Sequence, residues 1–381
     1  MRSNELFIIY GTDYKEMTKR LLEETRLEKI IFDKYDKMEN RNLEKQLLNS
    51  MIIGIKPNLV SPSEASWGAT THPEIVAGII EYLKEKKFAN IVIMEGSWVG
   101  DKTEEAVHVC GYDRLIQKYG VEFWDMQKDP SHEADCGGMK LQICNSVDKI
   151  DFLINVPVLK GHCQTKITCA LKNMKGLIPN KEKRHFHKMG LHKPIAHLNA
   201  GIHQDFIVID NICGDLDFED GGNPVVMNRI MAAVDPVLCD AFVCKMLHYK
   251  KEDVPYLEMA EALGVGSADL EQAKIREIDH PKNWNVDLSA ERKIVALKDA
   301  VEEVESCSAC YGYLIPALEQ LRQEGLLEKL DEKIAIGQGY RGRRGKLGVG
   351  NCTSRFEYWA KGCPPTEKEI YDFLKEYIEK M

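Results

Sequence analysis

Short apolar runs alternate with amphipathic stretches along the first 160 residues, and this alternation limits the possible folds more than any other feature of the chain. The clearest amphipathic stretch, residues 73–86, has its apolar side chains on one stripe, which predicts a helix capped by Thr71. Buried strands are predicted at residues 6–10, 51–55, 90–94, 152–158, 206–209 and 334–336. Alternating strands and helices predict an α/β fold, with helices on both faces of one or more mostly parallel sheets.

The length of the chain predicts more than one domain. Its 381 residues, 44% hydrophobic and 29% charged, have ordinary globular composition and are enough for two or three units. A polar stretch at residues 279–285 precedes the predicted boundary. We expect an α/β domain at residues 1–290, which could have two lobes, and a small C-terminal α/β unit at residues 301–381 that holds a metal cluster.

The charge balance argues against some partners. Lys and Arg total 51 against 60 Asp and Glu, so the net charge is −9 and a phosphate backbone would repel the protein as a whole. No apolar run reaches the length of about 18 residues that a membrane span needs, and the first residues lack the apolar stretch of a signal peptide. We therefore expect a cytoplasmic protein that binds neither nucleic acid nor membranes.

Four of the twelve cysteines fall in the C-terminal unit with spacing typical of a metal site. Cys307 and Cys310 form a C-x-x-C pair, Cys352 follows a glycine-rich loop, and Cys363 precedes two prolines. The pair lets two thiolates reach one centre from a single turn, and a Cys-Pro step recurs in bacterial ferredoxins. One [4Fe–4S] cluster on these four thiolates is the favoured interpretation. Structural zinc and unrelated buried thiols are the alternatives.

Helix signals next to these cysteines favour an anionic centre. The pattern of residues 308–322 predicts one helix. Thr366 and Glu369 form a capping box at the start of a second helix, which ends near residue 379. The N-terminus of a helix carries unpaired N–H groups and partial positive charge, which stabilise a metal–thiolate centre.

A basic, histidine-rich segment at residues 160–203 is a second candidate site. It contains nine Lys or Arg and a single acid, for a net charge of +8 within an acidic protein. The positive electrostatic potential of such a segment favours binding of a small anion such as a carboxylate or a phosphate. A solvated lysine face is the alternative, and a metal site that includes His185 and His187 is another.

A helix at residues 164–175 would arrange part of this segment for binding. It would place Thr165, Lys172 and Lys175 on one face, with Asn173 at the border. We expect these four residues to contact the anion.

Polar residues at the ends of predicted strands extend the candidate site. The strand at residues 152–158 delivers Lys160 and His162 to the edge where ligands bind in open α/β sheets. Similar positions after strands or at the start of a helix are held by Lys56, Asn58, His72, Glu95, Ser97, Asp210, Asn211 and Asp235. Each alone could cap a helix or turn, but together they predict a polar cleft, with the first five as substrate-binding residues.

Six motifs occur in order between about residues 50 and 265. They are I-K-P-N-L-V at 55–60, T-H-P-E-I-V at 71–76, E-G-S at 95–97, I-N-V-P-V-L-K-G-H at 154–162, A-L-K-N-M-K-G at 170–176 and V-D-P-V-L-C-D-A at 234–241. This series resembles the family catalogued as domain of unknown function 362 (DUF362). Many members carry an iron–sulfur segment, which the C-S-A-C, G-N-C-T and K-G-C-P-P stretches resemble. The resemblance implies an iron–sulfur cluster and supplies no catalytic residues. The two full ferredoxin runs of some relatives are absent, and the four cysteines allow one cluster at most.

These features favour an oxidoreductase with one [4Fe–4S] cluster and a small anionic substrate. Four thiolates leave no iron site open, which suits electron transfer better than hydration chemistry. We expect His162 to donate a proton, and Lys160 and Lys172 to act in catalysis by holding the anion. A redox protein would then be the partner that exchanges electrons. The alternatives are a non-redox isomerase, racemase or transferase with a structural cluster or zinc, and an electron-transfer or binding protein without its own substrate.

Overall fold

The computed structural model describes residues 1–36, 48, 50–162, 164–217, 219, 221, 224–282, 284, 297–306 and 308–380. The chain divides into two compact units. The first comprises Met1–Gly161, Lys166–Leu216 and Asp220–Leu288, and the second comprises His162–Thr165, Asp217–Glu219 and Ser289–Met381. Each unit has its own hydrophobic core.

An eight-stranded sheet organises the first unit. The strands up to residue 278 are β1 (Glu5–Tyr10), β2 (Ile52–Pro57), β3 (Asn90–Glu95), β4 (Glu122–Asp125), β5 (Ser131–Cys136), β6 (Met139–Cys144), β7 (Phe152–Val156), β8 (Lys160–His162), β9 (Lys166–Thr168), β10 (Phe206–Asp215), β11 (Pro224–Ala233) and β12 (Lys274–Ile278). The sheet order is β12-β1-β11-β10-β7-β2-β3-β4, and β5-β6 and β8-β9 form separate pairs. Only β11 runs antiparallel to its neighbours β1 and β10 in this sheet of described strands, so the predicted mostly parallel sheet is confirmed.

Helices pack on both faces of this sheet, as predicted. They are α1 (Tyr14–Thr25), α2 (Leu27–Asp36), α3 (Pro73–Glu85), α4 (Thr103–Val109), α5 (Tyr112–Tyr119), α6 (Ala170–Asn173), α7 (Asn180–Met189), α8 (His192–Gly201), α9 (Pro236–Met246) and α10 (Tyr256–Ala262). Side chains alternate along a strand, so Phe7 and Ile9 join the core under α1–α5, whereas Leu6 and Ile8 join the core under α6–α10. Among the described residues, no helix is long and apolar enough to cross a membrane.

The predicted helix at 73–86 forms as α3, but its cap differs from the prediction. Pro73 occupies the first turn, where a missing N–H costs nothing, and His72 is the N-cap residue. The Thr71 hydroxyl donates to the Val156 carbonyl at 2.8 Å and accepts from the Asn58 N–H at 2.8 Å. Thr71 therefore ties two strand ends together and leaves the helix end uncapped by its side chain.

The predicted helix at 164–175 is wrong. Its first half contains strand β9, and helical structure begins only at Ala170, followed by a 3₁₀ turn at Met174–Leu177. Lys166 has a φ of 67°, in the left-handed region, which interrupts any helix there. The carboxylate of Asp240 accepts the Ala170 N–H at 2.7 Å and the Leu171 N–H at 3.3 Å, so a residue distant in sequence sets the helix start.

The second unit is a small α/β structure, as predicted. Its parallel sheet contains, in spatial order, β13 (Val301–Glu303), β14 (Ile334–Ile336), β15 (Leu347–Val349) and β16 (Tyr358–Ala360). Helices α11 (Ser308–Gln323) and α12 (Glu367–Glu379) pack together with these strands around one core. The capping box of Thr366 and Glu369 at the start of α12 is confirmed.

Candidate functional site

Four strands of the first unit deliver polar side chains to one edge of the sheet. Lys56 and Glu95 stand at the ends of β2 and β3, and Asn155 stands at the end of β7. Asp210 lies within β10, at the level just beyond the end of β7, where it forms a parallel β-bridge with Val158. Parallel strands end at the same edge, so residues far apart in sequence converge there, as the sequence predicted.

A buried ion pair joins two of the predicted residues. Lys56 Nζ donates to Glu95 Oε2 at 2.7 Å, and Glu95 also accepts the N–H groups of Gly96 at 2.7 Å and Leu59 at 3.2 Å. Burial lowers the pKa of Lys56, while the charge of Glu95 opposes this shift. The backbone of Gly176 covers the pair so closely that a Cβ there would lie 1.8 Å from Glu95 Oε1.

A chain of buried amides continues from this pair. Asn58 Nδ2 donates to Asn173 Oδ1 at 2.9 Å, and Asn173 Nδ2 donates to Asn155 Oδ1 at 2.7 Å. Lys160 Nζ donates to Asn58 Oδ1 at 3.3 Å and to the Ala69 carbonyl at 2.6 Å. Asn58, Lys160 and Asn173 were predicted, and the structure brings them together. Asn155 was missed, although it is a polar residue inside an apolar run, which is a usable signal.

Lys183 in α7 is a site residue that the sequence analysis left within the general basic segment. Its Nζ donates to the carbonyls of Gly96 at 2.7 Å and Ser97 at 2.8 Å. Burial lowers the pKa of Lys183 to about 8, with Glu95 raising it and Lys56 lowering it further. We call Lys56, Glu95, Lys160 and Lys183, together with Asn58, the lysine site.

His72 and Asp210 form a second buried pair. Asp210 Oδ2 accepts from His72 Nδ1 at 2.8 Å and from the His72 backbone N–H at 2.7 Å. Burial lowers the pKa of His72, but the charge and hydrogen bond of Asp210 outweigh it and raise the pKa to about 10. His72 is therefore an imidazolium at neutral pH. Its Nε2 lies 3.8 Å from Cys213 Sγ, and Tyr14 packs edge-on against the ring at 5.8 Å.

Three other predicted residues, Ser97, Lys172 and Lys175, lie after β3 and in or just after α6. Ser97 Oγ donates to the Leu59 carbonyl at 2.6 Å, which fixes the turn after β3. Lys172 is buried and its Nζ donates to Thr168 Oγ1 at 3.2 Å. Lys175 is half-buried in the 3₁₀ turn that follows α6.

His162 and Thr165, also predicted, belong to the second unit. His162 Nδ1 accepts the N–H groups of Gln164 and Thr165, both at 3.0 Å. The ring proton must therefore be on Nε2, which lies 2.7 Å from Glu219 Oε2. Glu219 is a site residue that the sequence analysis missed, because only the fold brings it to His162.

Three of the four predicted cluster ligands lie on adjoining backbone segments of the second unit. A Cβ built on Gly350 would lie 3.2 Å from Cys310 Sγ, so the sulfur rests against the backbone that precedes Cys352. The Asn351 N–H donates to the Gly362 carbonyl at 2.8 Å, which ties this loop to the turn before Cys363. The fourth predicted ligand, Cys307, lies outside the described residues.

The residue types of these segments are those that metal–thiolate centres use. Cys310 is in the first turn of α11, Cys352 is half-buried, and Cys363 is exposed. Thiolates beside glycine-rich backbone suit an iron–sulfur cluster or zinc. Within the described part of the chain, which excludes Cys307, no three His, Cys, Asp or Glu side chains are already grouped around a metal position.

Six cysteines of the first unit have the character of inert core thiols. Burial raises the pKa of each of them, which keeps the thiol protonated and unreactive. They are Cys110, Cys136, Cys144, Cys169, Cys239 and Cys244.

The fold and the lysine site define an α/β domain with a buried polar cluster at the carboxyl edge of its sheet. A family model described as "Domain of unknown function (DUF362)" matches residues 53–245, which include β2, β3, β7 and β10. The chain belongs to this family, and the resemblance found in the sequence is confirmed. The match ends before the cysteine set of the second unit.

Relatives of the chain are distant. A thylakoid-associated protein of Synechocystis sp. is 23% identical over 243 residues, which is 61% of this chain and 74% of that protein. The lactate racemase apoprotein of Thermoanaerobacterium thermosaccharolyticum has a TM-score of 0.38 and 14% identity, over 63% of this chain and 56% of that one. A structural-genomics protein of Thermotoga maritima has a TM-score of 0.34 and 14% identity, over 71% of this chain and 62% of that one. This chain thus spans less than two thirds of both solved proteins.

Proposed function

We propose that this member of the DUF362 family is a cytoplasmic iron–sulfur oxidoreductase. One [4Fe–4S] cluster would be held by Cys307, Cys310, Cys352 and Cys363, and a small carboxylate or phosphate would be bound at the lysine site. The observation that carries the proposal is the approach of the Cys310 sulfur to the loop of Cys352, which is itself tied to the turn of Cys363.

The type and setting of these donors support a cluster. All four are cysteines, and thiolate is the usual ligand of iron–sulfur clusters. Gly350, with a φ of 86°, brings backbone close to the Cys310 sulfur without a side chain between them. The proposed cytoplasmic location is one where thiols stay reduced.

The charge of the lysine site supports an anionic substrate. Three buried ammonium groups, on Lys56, Lys160 and Lys183, lie in this cluster, and the Lys56 ammonium pairs with the buried carboxylate of Glu95. Lys183 donates to the carbonyl oxygens of Gly96 and Ser97, which carry no formal charge. Clustered ammonium groups in a region of low dielectric favour a negative ligand.

The residues of this chain would divide the work of binding and proton transfer. A bound [4Fe–4S] cluster supplies single-electron transfer. Lys160 and Lys183 would hold the anion, with Lys172 in support, and the amides of Asn58 and Asn173 would orient it. Independently of the lysine site, His162 of the second unit stays a proposed proton donor, because the pKa of an unperturbed imidazole is near neutrality.

The cluster is tested by metal analysis of the full chain purified without oxygen. We expect about four iron and four sulfide per chain, the content of one [4Fe–4S] cluster. Cys352→Ala and Cys363→Ala should lose most of both, whereas Cys110→Ala, which removes a core thiol of the first unit, should keep them. One zinc without sulfide, or full iron in both ligand variants, would contradict the proposal.

The lysine site is tested separately with inorganic phosphate as the probe. Phosphate should raise the thermal unfolding temperature of the wild type. Lys183→Met should need at least a tenfold higher phosphate concentration for the same rise. Lys181→Met removes an exposed lysine from the same helix and is the matched control. An equal phosphate response in Lys183→Met would remove Lys183 from the site.

A proton-transfer enzyme without redox chemistry is the second candidate. It is favoured by the His72–Asp210 pair, in which a buried carboxylate orients and charges an imidazole. One zinc per chain without sulfide would favour this candidate, because the lysine site and the His72 imidazole would then be the groups left to carry out the reaction.

A further inference from the structure

A strongly basic stretch of the second unit lies in the loop between β14 and β15 and in the turn that follows β15. Residues 341–355 contain five basic residues and no acidic one, in a protein with a net charge of −9. The five are Arg341, Arg343, Arg344, Lys346 and Arg355. We call residues 341–346 together with Arg355 the basic loop.

Three arginines of the basic loop are exposed and have no ionic partner in the described part of the chain. They are Arg343, Arg344 and Arg355. Lys346 differs from them, because its ammonium pairs with Asp331 at 2.6 Å. The positive charge that a ligand could use is therefore that of the three guanidinium groups.

The carboxylate of Glu302 in β13 acts near the start of the basic loop. Burial raises the pKa of Tyr340, Glu302 raises it further, and Arg343 lowers it. Glu302 forms no ion pair with Arg343 among the residues that the structure describes. Its single charge can offset at most one of the three guanidinium groups.

Hydrogen bonds and one aromatic ring hold the basic loop in a defined shape. The guanidinium of Arg355 donates to the Gly342 carbonyl at 3.4 Å, and the Glu357 N–H donates to the Gly345 carbonyl at 3.0 Å. Gly345 also lies so close to the Phe356 ring that a Cβ there would collide with it. Because the backbone is already ordered, a partner that binds here loses less of its binding energy to ordering the loop.

The basic loop adjoins one of the predicted cluster ligands. Cys352 lies three residues before Arg355 in the chain. The 3₁₀ turn that contains Cys352, Asn351–Thr353, lies against the 3₁₀ turn Gln338–Tyr340, from which the basic loop begins. An electron carrier that contacts the basic loop would therefore be close to the proposed cluster.

The distribution of charge favours an acidic protein over a nucleic acid as the partner. The remainder of the chain is strongly acidic. The charge of a nucleic acid continues beyond the basic loop, so its phosphates would be repelled by this remainder. A small protein can match the loop with an acidic patch of limited extent, and such complementarity steers the encounter and orients the partner.

We propose that the basic loop binds a small acidic redox protein, which exchanges single electrons with the cluster. This inference rests on the proposed function and identifies the surface and the charge of its redox partner. Guanidinium groups suit this role, because each can form two parallel hydrogen bonds with a carboxylate of the partner.

The test measures binding of a fluorescently labelled, small acidic [2Fe–2S] ferredoxin to the full chain purified without oxygen. Fluorescence anisotropy should show saturable binding at low salt, weakened at least tenfold when the salt concentration rises from about 20 to about 200 mM. Arg343→Gln, Arg344→Gln and Arg355→Gln combined should raise the apparent dissociation constant at least tenfold at low salt. This variant should keep the iron and sulfide content of the wild type, because all three side chains are exposed.

The matched control removes the same amount of charge from other parts of the second unit. It combines Lys298→Gln, Lys329→Gln and Lys368→Gln, which replace exposed lysines that have no ion pair within the described ranges. This control should bind the ferredoxin within threefold of the wild type, because its net charge equals that of the arginine variant while the basic loop is intact.

Three results would overturn the inference. They are the absence of saturable ferredoxin binding by the wild type at low salt, equal affinities of the arginine variant and the lysine control, and tighter binding of a short duplex DNA than of the ferredoxin. The last result would identify a nucleic-acid surface.

The binding assay is independent of the metal analysis, so the two proposals can fail separately. Iron and sulfide without ferredoxin binding would refute the docking surface and leave the cluster in place. Ferredoxin binding by a zinc-containing protein without sulfide would refute the proposed function on which this inference rests.

Discussion

Replacing Glu95 by Gln tests the buried ion pair at the centre of the lysine site. The exposed fractions of the Lys56 and Glu95 side chains are 0% and 4%, and their charged atoms are 2.7 Å apart. Removing one partner of a buried pair leaves the other charge uncompensated and typically costs about 3–5 kcal/mol. Gln keeps the shape of Glu, so we expect the free energy of unfolding to fall by about 3 kcal/mol. Lys56→Met combined with Glu95→Gln removes both charges and should recover part of this loss.

The assay is urea unfolding followed by tryptophan fluorescence. Trp67, Trp98, Trp124 and Trp284, four of the five tryptophans, belong to the first unit, so the signal reports mainly on the unit that contains the pair. The control is Glu85→Gln. It breaks a pair with Lys19 of similar length, 2.6 Å, but Glu85 is 56% exposed, so the expected loss is below about 1 kcal/mol.

The loss in free energy of unfolding in Glu95→Gln shows whether burial strengthens the Lys56–Glu95 pair. A loss below about 1 kcal/mol, equal to that of the exposed control, would show that burial does not strengthen the pair. A double variant less stable than Glu95→Gln alone would show that Lys56 stabilises the fold through its other contacts rather than through Glu95. Either result would refute the account of the lysine site as a cluster of buried charges.

Three further predictions concern the same unit. Gly176→Ala would place a Cβ 1.8 Å from Glu95 Oε1 and should cost at least about 2 kcal/mol in urea unfolding; a loss below about 0.5 kcal/mol would contradict the close approach. In Asp210→Asn, the pKa of His72 measured by NMR should fall from about 10 to its ordinary value of about 6.5 or below, because burial is then no longer outweighed by the Asp210 charge; an unchanged pKa would show that Asp210 does not charge the ring. A raised histidine pKa means that the folded state binds the proton more tightly than the unfolded state. The stabilisation from this pair should therefore be complete below about pH 6.5 and lost as the pH rises towards 10. In that range the wild type should lose its stability advantage over Asp210→Asn. For Asp240, burial raises the pKa to about 7, so its contribution to stability should fall as the pH rises from about 4 to 7; a comparison with Asp240→Asn that shows the opposite trend would refute this assignment.

The parts of the fold that follow from local patterns were predictable from the sequence. The stripe of Ile75, Ile79 and their neighbours gives α3, and the apolar run at 90–94 gives β3, because burial of these side chains depends mainly on their spacing. Lys56 and Glu95 could be placed at one edge because parallel strands end together.

Other features depend on contacts between distant residues and had no local signal. The predicted helix at 164–175 is wrong because Asp240, some 70 residues away in sequence, fixes the start of α6 at Ala170. Lys183 and Arg229 look like ordinary basic residues in the sequence. Only the fold shows that both are buried, Lys183 against the carbonyls of Gly96 and Ser97, and Arg229 of β11 against Asn211 and the Trp284 ring.

The proposed cluster is tested most directly by electron spin resonance of the full chain, purified without oxygen and reduced with dithionite. We predict a brown protein with one spin per chain on reduction, retained in Cys110→Ala and lost in Cys352→Ala and Cys363→Ala. A colourless, zinc-containing protein without a spin signal would contradict the proposed redox function.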